Sequence, residues 1–362
     1  APEHTWLCHL RIHMNEMGPI AAIDWRAADA VRRADALDCG HLVHMPSHLD
    51  IQVGDYRRAM DDNVRAYKAD LKVHALSPSR FTIYTGYLVH NVEFCAWAAM
   101  YAGARSVALE AAAKLDAFLH HEVMLASPAT PMLFELYLTT RLMVLVRFGM
   151  WDEILATPFK PDVQIYLSHT LMLRFARGLA LGARSALGEA RAEQAAFVEL
   201  WATVKPSDRL KHNVNLTHMG GIAERVLAAE LLYRAADYDA AYAALDEAVA
   251  LFDALPYDEP HGWLMSPRQT LGALLTEQGR YERAMAVYDE DLLLFPKNPW
   301  ALAGLRICCT KLSSPRLAGV VAALEEARAA TDVPIGASCA CALSDWNASC
   351  LPAAFAKWPT AD

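Results

Sequence analysis

The sequence predicts an all-α chain built from helical hairpins, and three observations predict it. Ala, Leu, Glu and Arg recur at helical spacing from end to end, and strand signals are nearly absent. Short phrases of the form Gly-x-aromatic-x-x-Ala also repeat along the chain. Each phrase reads as a turn: small residues let two helices approach closely at the bend, and the aromatic wedges between pairs.

In chain order, Gly18 closes a first helix. Gly54-Asp55-Tyr56 with Ala59 and Gly279-Arg280-Tyr281 with Ala284 are the clearest phrases, and Ala236-Asp237-Tyr238 with Ala241 is looser. Gly103-Ala104-Arg105, Gly149-Met150-Trp151 and Gly182-Ala183-Arg184 are variants. The turns near 18, 54, 103, 149, 182, 236 and 279 are spaced more widely and less evenly than the roughly 34 residues of a strict tetratricopeptide array. The expected fold is therefore a degenerate tetratricopeptide-like helical-hairpin solenoid, a right-handed superhelix of about eight helix pairs. Extra loops are expected at 77–80, 127–132, 158–161 and 205–212, and Pro256 to Pro260 should set off the last two well-formed repeats. After Ser313-Ser314-Pro315 one more helix, to about Thr331, should close the array. This gives a single helical-repeat domain over 1–331 and an irregular, Cys-containing tail over 332–362.

The 362 residues are 54% hydrophobic and 21% charged, the composition of a folded, core-rich chain. A net charge of −9, without a Lys/Arg cluster, argues against nucleic acid as a partner. The most apolar stretch, Leu136 to Trp151, is cut by Arg141 and Arg147, so no membrane span is expected. The chain begins at Ala1 without a signal-peptide pattern, which reads as a processed or truncated chain. Cys8, Cys39 and Cys95 fall in apolar helical patterns and read as small core residues. Cys308, Cys309, Cys339, Cys341 and Cys350 lack a C-x-x-C pair and make a poor zinc set; a disulfide-stapled tail would fit secretion or an organelle lumen. The sequence leaves the compartment of this soluble chain open.

Chemistry concentrates in histidines. His44 and His48 are i, i+4 neighbours, as are His9 and His13, and each pair precedes a turn glycine. In stacked hairpins the first helix of each pair lines the inner surface, and both pairs fall on such helices at nearly the same height. Imidazoles from neighbouring helices can then meet at one centre or at two adjacent centres. His90 is the best further ligand, supplemented by His41, Glu93 or Asp50, while Pro46 marks a helix start or a local break. An all-imidazole set leans toward copper or zinc, with iron third, and away from magnesium and calcium. Glu93 and Glu135, with Glu16, are the candidate acid/base groups, and His41, His90, Glu135 and His169 share a second helical register. Glu259, Trp263 and Arg268 are candidate walls of a substrate pocket, Arg268 as a carboxylate clamp. The plainer readings are core histidines satisfied by hydrogen bonds and a long loop held down by Trp263.

His9…His13, His44-Met45-Pro46-Ser47-His48, His90-Asn91 and Tyr257-Asp258-Glu259-Pro260…Trp263…Pro267-Arg268…Leu271-Gly272-Ala273 together resemble a family of bacterial tetratricopeptide-repeat proteins. The run Tyr281 to Leu305, with Pro296-Lys297-Asn298-Pro299-Trp300-Ala301-Leu302, is similar to that family's last repeat. The resemblance spans roughly residues 4 to 310 and implies the fold and the position of the site rather than a reaction. The Cys-rich tail departs from it.

Two functions remain in view. One is a metal-binding protein, extending to a metal-dependent oxidoreductase or hydrolase acting on a small molecule in the groove. The other is a scaffold that grips a protein or peptide there, or serves as a subunit of a larger assembly. No G-x-S-x-G, P-loop, dinucleotide fingerprint or H-E-x-x-H occurs to suggest another class.

Overall fold

The computed structural model describes residues 3–34, 38–76 and 83–342, and it is all-α. The N-terminal part runs α1 (Thr5–Glu16), α2 (Trp25–Arg33), α3 (Gly40–His44), α4 (Ser47–Gln52), α5 (Tyr56–Leu76), α6 (Ile83–Ala102) and α7 (Arg105–Phe118). The short α8 (His121–Met124), α9 (Ala129–Phe134), α10 (Thr140–Arg147) and α11 (Trp151–Ala156) lead to α12 (Leu167–Ala183) and α13 (Leu187–Trp201). A two-stranded antiparallel hairpin, β1 (Leu210–Lys211) and β2 (Val214–Asn215), comes next. The chain continues through α14 (Leu216–Arg234), α15 (Tyr238–Asp253), α16 (Pro267–Glu277), α17 (Tyr281–Leu294), α18 (Pro299–Lys311) and α19 (Leu317–Ala327).

Sequence neighbours pack on one another: α5 on α6, α6 on α7, α12 on α13, α14 on α15, α16 on α17 and α17 on α18. The bends fall largely where the small residues predict. Gly54, Gly103, Gly149, Gly279 and Ala236 take the left-handed conformation that closes a helix. Gly182 does not; it lies inside α12, and Ser185 makes the bend three residues later. Two expected loops also hold regular structure, since Ala129–Phe134 is helical and Leu210–Lys211 is a strand. The expected loop at 77–80, and Cys350, lie outside the described residues. Ala129–Arg147 is long and apolar enough to cross a membrane by length and composition, yet about two thirds of it is buried inside the protein.

One large core runs from α4 to the residues after α19, and a second, small one seats the N-terminus. The small core joins Cys8 and Ile12 of α1 to Ala27, Ala28 and Val31 of α2 and to Met45 and Leu49. It thereby fixes α1 against α4, the two elements carrying His9, His13 and His48.

The C-terminal helices return to the N-terminal ones. Tyr56 donates its hydroxyl to the Pro296 carbonyl at 2.9 Å, and Trp300 Nε1 donates to the Met100 carbonyl at 2.9 Å. The Arg147 guanidinium lies 3.7 Å over the Trp300 ring. Gly54 abuts the Pro296 carbonyl, so this turn excludes a side chain by contact as well as by its positive φ. Beyond α19 the irregular segment is threaded into the core. Asp332 accepts from the amides of Arg105 at 2.6 Å and Ser106 at 2.8 Å, capping α7, and Ile335 and Ser338 are buried. Cys339 and Cys341 are joined by a disulfide, and Cys8, Cys95, Cys308 and Cys309 are buried.

Candidate metal centre

Local chemistry sets the helices that carry the histidines. The α3 helix begins at Gly40, whose amide is taken by the Asp70 carboxylate of α5. Asn91 Nδ2 of α6 donates to Asp70 Oδ2 at 2.8 Å, so one carboxylate ties together α3, α5 and α6. Two residues after His44, Pro46 has no N–H to give and separates α3 from α4. The Ser47 hydroxyl donates instead to the His44 carbonyl at 2.7 Å, which keeps His44 and His48 on one face across the break.

Three histidines then converge in a buried inner triad. His44 Nε2 lies 2.7 Å from His48 Nε2 and 3.0 Å from His90 Nε2. All three rings are buried. The opposite nitrogen of each ring faces an oxygen. His44 Nδ1 meets Asn63 Oδ1 at 2.7 Å, His90 Nδ1 meets the Glu259 carbonyl at 2.9 Å, and His48 Nδ1 meets the Glu16 carboxylate. The Asn63 amide has one orientation open to it, because its nitrogen donates to the Ala59 carbonyl at 2.8 Å and to Ser47 Oγ at 3.0 Å. Each Nδ1 therefore carries the proton and donates, and the Nε2 atoms of His44 and His90 turn their lone pairs toward each other and toward His48 Nε2.

An outer triad lies alongside. His9 Nε2 is 3.0 Å from His41 Nε2, and the imidazole nitrogens of His9, His13 and His41 all fall within 4.8 Å of one another. His41 stacks on Tyr87 with ring centroids 4.3 Å apart. Glu16 joins the two triads, one carboxylate oxygen on His13 Nδ1 and the other on His48 Nδ1. Glu259 comes within 3.5 Å of His13 Nδ1 and 3.7 Å of His48 Nε2, and Tyr257 donates to it.

Burial holds His44 and His90 well below the ordinary histidine range and pulls His41 down to about 3, so these rings are neutral. Burial works against a proton on His13 too, but hydrogen bonds to Glu16 and Glu259 outweigh it and raise His13 to about 9. Glu16 and Glu259 are both held low despite burial, by His48 and His13 above all, and remain charged.

A cavity of about 280 Å³ adjoins the cluster, lined by His13, His41, Tyr87, His90, His212 and Glu259 among others. His212 sits in the tip of the β-hairpin with φ 45°, its ring 5.3 Å from that of His90 and its Nδ1 3.5 Å from Asp258.

The other sequence candidates lie elsewhere. Glu93 shares α6 with His90, but its carboxylate is held by Lys211 Nζ at 3.0 Å and Thr140 Oγ1 at 2.9 Å. Glu135 accepts from the amides of Ser168 and His169 at the start of α12 and from Arg209, the work of a buried helix cap. Arg268 does clamp a carboxylate, that of Asp253, through two bonds of 2.7 and 2.6 Å, and Glu290 takes its Nε at 3.2 Å. Trp263 is buried edge-on against Phe175. Asp50 is paired with Arg32. Of the three pocket-wall candidates only Glu259 reaches the histidines, and it does so through both its carbonyl and its carboxylate. Asn63 has no signal in the sequence, because its position follows from α5 packing on α3. Searches against protein-family models and curated proteins find no match for the chain.

Proposed function

We propose that the protein is a metal-binding, tetratricopeptide-like array in which the inner triad of His44, His48 and His90 holds a transition-metal ion. The observation that carries this reading is the direction of the lone pairs. Three Nε2 atoms converge while every Nδ1–H is already committed to an oxygen. Lone pairs at these separations repel; a cation among them turns the repulsion into bonding. A tetrahedral ion bound at about 2.0–2.1 Å needs nitrogens roughly 3.3 Å apart, a few tenths of an ångström wider than they stand, which side-chain torsions supply.

The imidazole set favours copper or zinc, with iron third. Three protein ligands leave a position for substrate or water, as in catalytic rather than structural sites. Of the three, His90 borders the cavity, which is the side from which a small polar molecule would approach. This supports a metal-dependent enzyme of oxidative or hydrolytic type.

The test is elemental analysis of protein purified without a histidine tag, native and with His44→Ala or His48→Ala. A stoichiometric transition metal in the native protein, lost in both variants while the helical circular dichroism persists, is the expected result. Native protein that neither retains nor takes up a transition metal would overturn the proposal.

A further inference from the structure

We infer that the outer triad of His9, His13 and His41 is a second metal site, making the centre binuclear, with Glu16 as the carboxylate that aims one ligand into each half. The inference rests on the inner triad being a metal site and adds a second ion to it.

The geometry repeats. Each triad consists of one i, i+4 histidine pair and one histidine from a neighbouring helix: His44 and His48 with His90, His9 and His13 with His41. In both, Nε2 atoms confront each other at 3.0 Å or less. The triads are adjacent, with ring centroids 5.3 Å apart for His13 and His48, 5.9 Å for His41 and His44, and 6.4 Å for His41 and His90. Ions held so close would share a single substrate molecule or water.

Glu16 makes the pairing specific. Its two oxygens face His13 Nδ1 and His48 Nδ1, so one buried carboxylate orients a ligand of the outer triad and a ligand of the inner one. It is fixed in turn at the end of α1, where Gln52 Nε2 donates to its own carbonyl. Charge agrees: Glu16 and Glu259 put two negative groups against six imidazoles, offsetting part of the charge that a second divalent ion brings. Among the described residues, no second set of ligands of this kind occurs away from this cluster.

The test counts ions. Metal-free protein is titrated with zinc(II) by calorimetry, and the zinc retained after gel filtration is measured. The inference expects two equivalents for the native chain and one for His9→Ala/His41→Ala. Glu16→Gln removes the negative charge that both His13 Nδ1 and His48 Nδ1 face, so it should weaken both sites, by about 10- to 100-fold. Asn63→Ala, which removes the hydrogen-bond partner of His44 and of no other histidine in the cluster, should weaken the inner site alone. Copper(II)-loaded native protein should give a spin-coupled resonance, and the double variant an isolated one. A single equivalent in the native protein, or two retained in the double variant, would overturn the second site and leave the first standing. No stoichiometric binding at all would overturn both. The native stoichiometry needs no variant to fold.

Discussion

Gly40 and Asp70 are matched so closely that a β-carbon at position 40 would occupy the space of the Asp70 carboxylate. That carboxylate receives the Gly40 amide and the Asn91 side chain, and so it sets the spacing between His41, His44 and His90. Gly40→Ala should cost about 1–3 kcal/mol, the usual range for overpacking a buried contact. It should also lower metal retention, which a merely local clash would spare. Urea unfolding together with metal content checks both.

The Glu93–Lys211 pair is buried on both sides and joins α6 to the β-hairpin. Lys211→Met strands a carboxylate inside the protein and should destabilise it by about 3–5 kcal/mol. Glu93→Leu/Lys211→Met should recover most of that loss. If Glu93 serves packing rather than chemistry, the double variant also keeps its metal, and chemical denaturation with metal analysis reads both results.

Stability should fall in acid partly through His169. Burial lowers this ring from the ordinary 6.5 to about 4. Between those values the unfolded chain binds a proton that the folded chain refuses, so stability is complete above about pH 6.5 and drains away as pH falls toward 4. The contribution is on the order of 3 kcal/mol. His169→Gln should shrink the difference between unfolding free energies measured at pH 7 and pH 4.5.

Trp300 is packed under Arg147 and hydrogen-bonded to the Met100 carbonyl of α6. Trp300→Ala should cost about 3–5 kcal/mol. Because Met100 lies on the helix that carries His90, the substitution should also speed the loss of bound metal to a chelator, which stopped-flow with a coloured chelator measures.

The helical class, the turn glycines and both histidine pairs were legible because each is a short-range pattern: 3.6-residue periodicity, a left-handed bend, an i, i+4 step. What joins the pairs was only partly legible. The sequence could place His41 and His90 near them, but not assign each to its triad, since that depends on which helices touch. Asn63 and the paired role of Glu16 were invisible for the same reason. Glu93 and Glu135 show the opposite error. Glu135 shared a register with His41, His90 and His169, and Glu93 stood three residues from His90, but residues 205–212, read as a loop, carry Arg209 and Lys211 to these two carboxylates. A buried carboxylate with an arginine or lysine in reach is spent on that partner.

The contact from Tyr56 to Pro296 spans 240 positions. A repeat array held by neighbour contacts alone melts piecemeal from its ends, each unit leaving at its own free energy. This clasp removes that freedom: α3 to α6 cannot loosen while α17 and α18 stay docked, and the entropy of closing so long a segment is recovered only when both sides have formed. The ion and the helices should therefore be lost in one cooperative step, and a cut near Phe295 should be felt at His90 although the two residues are remote in sequence.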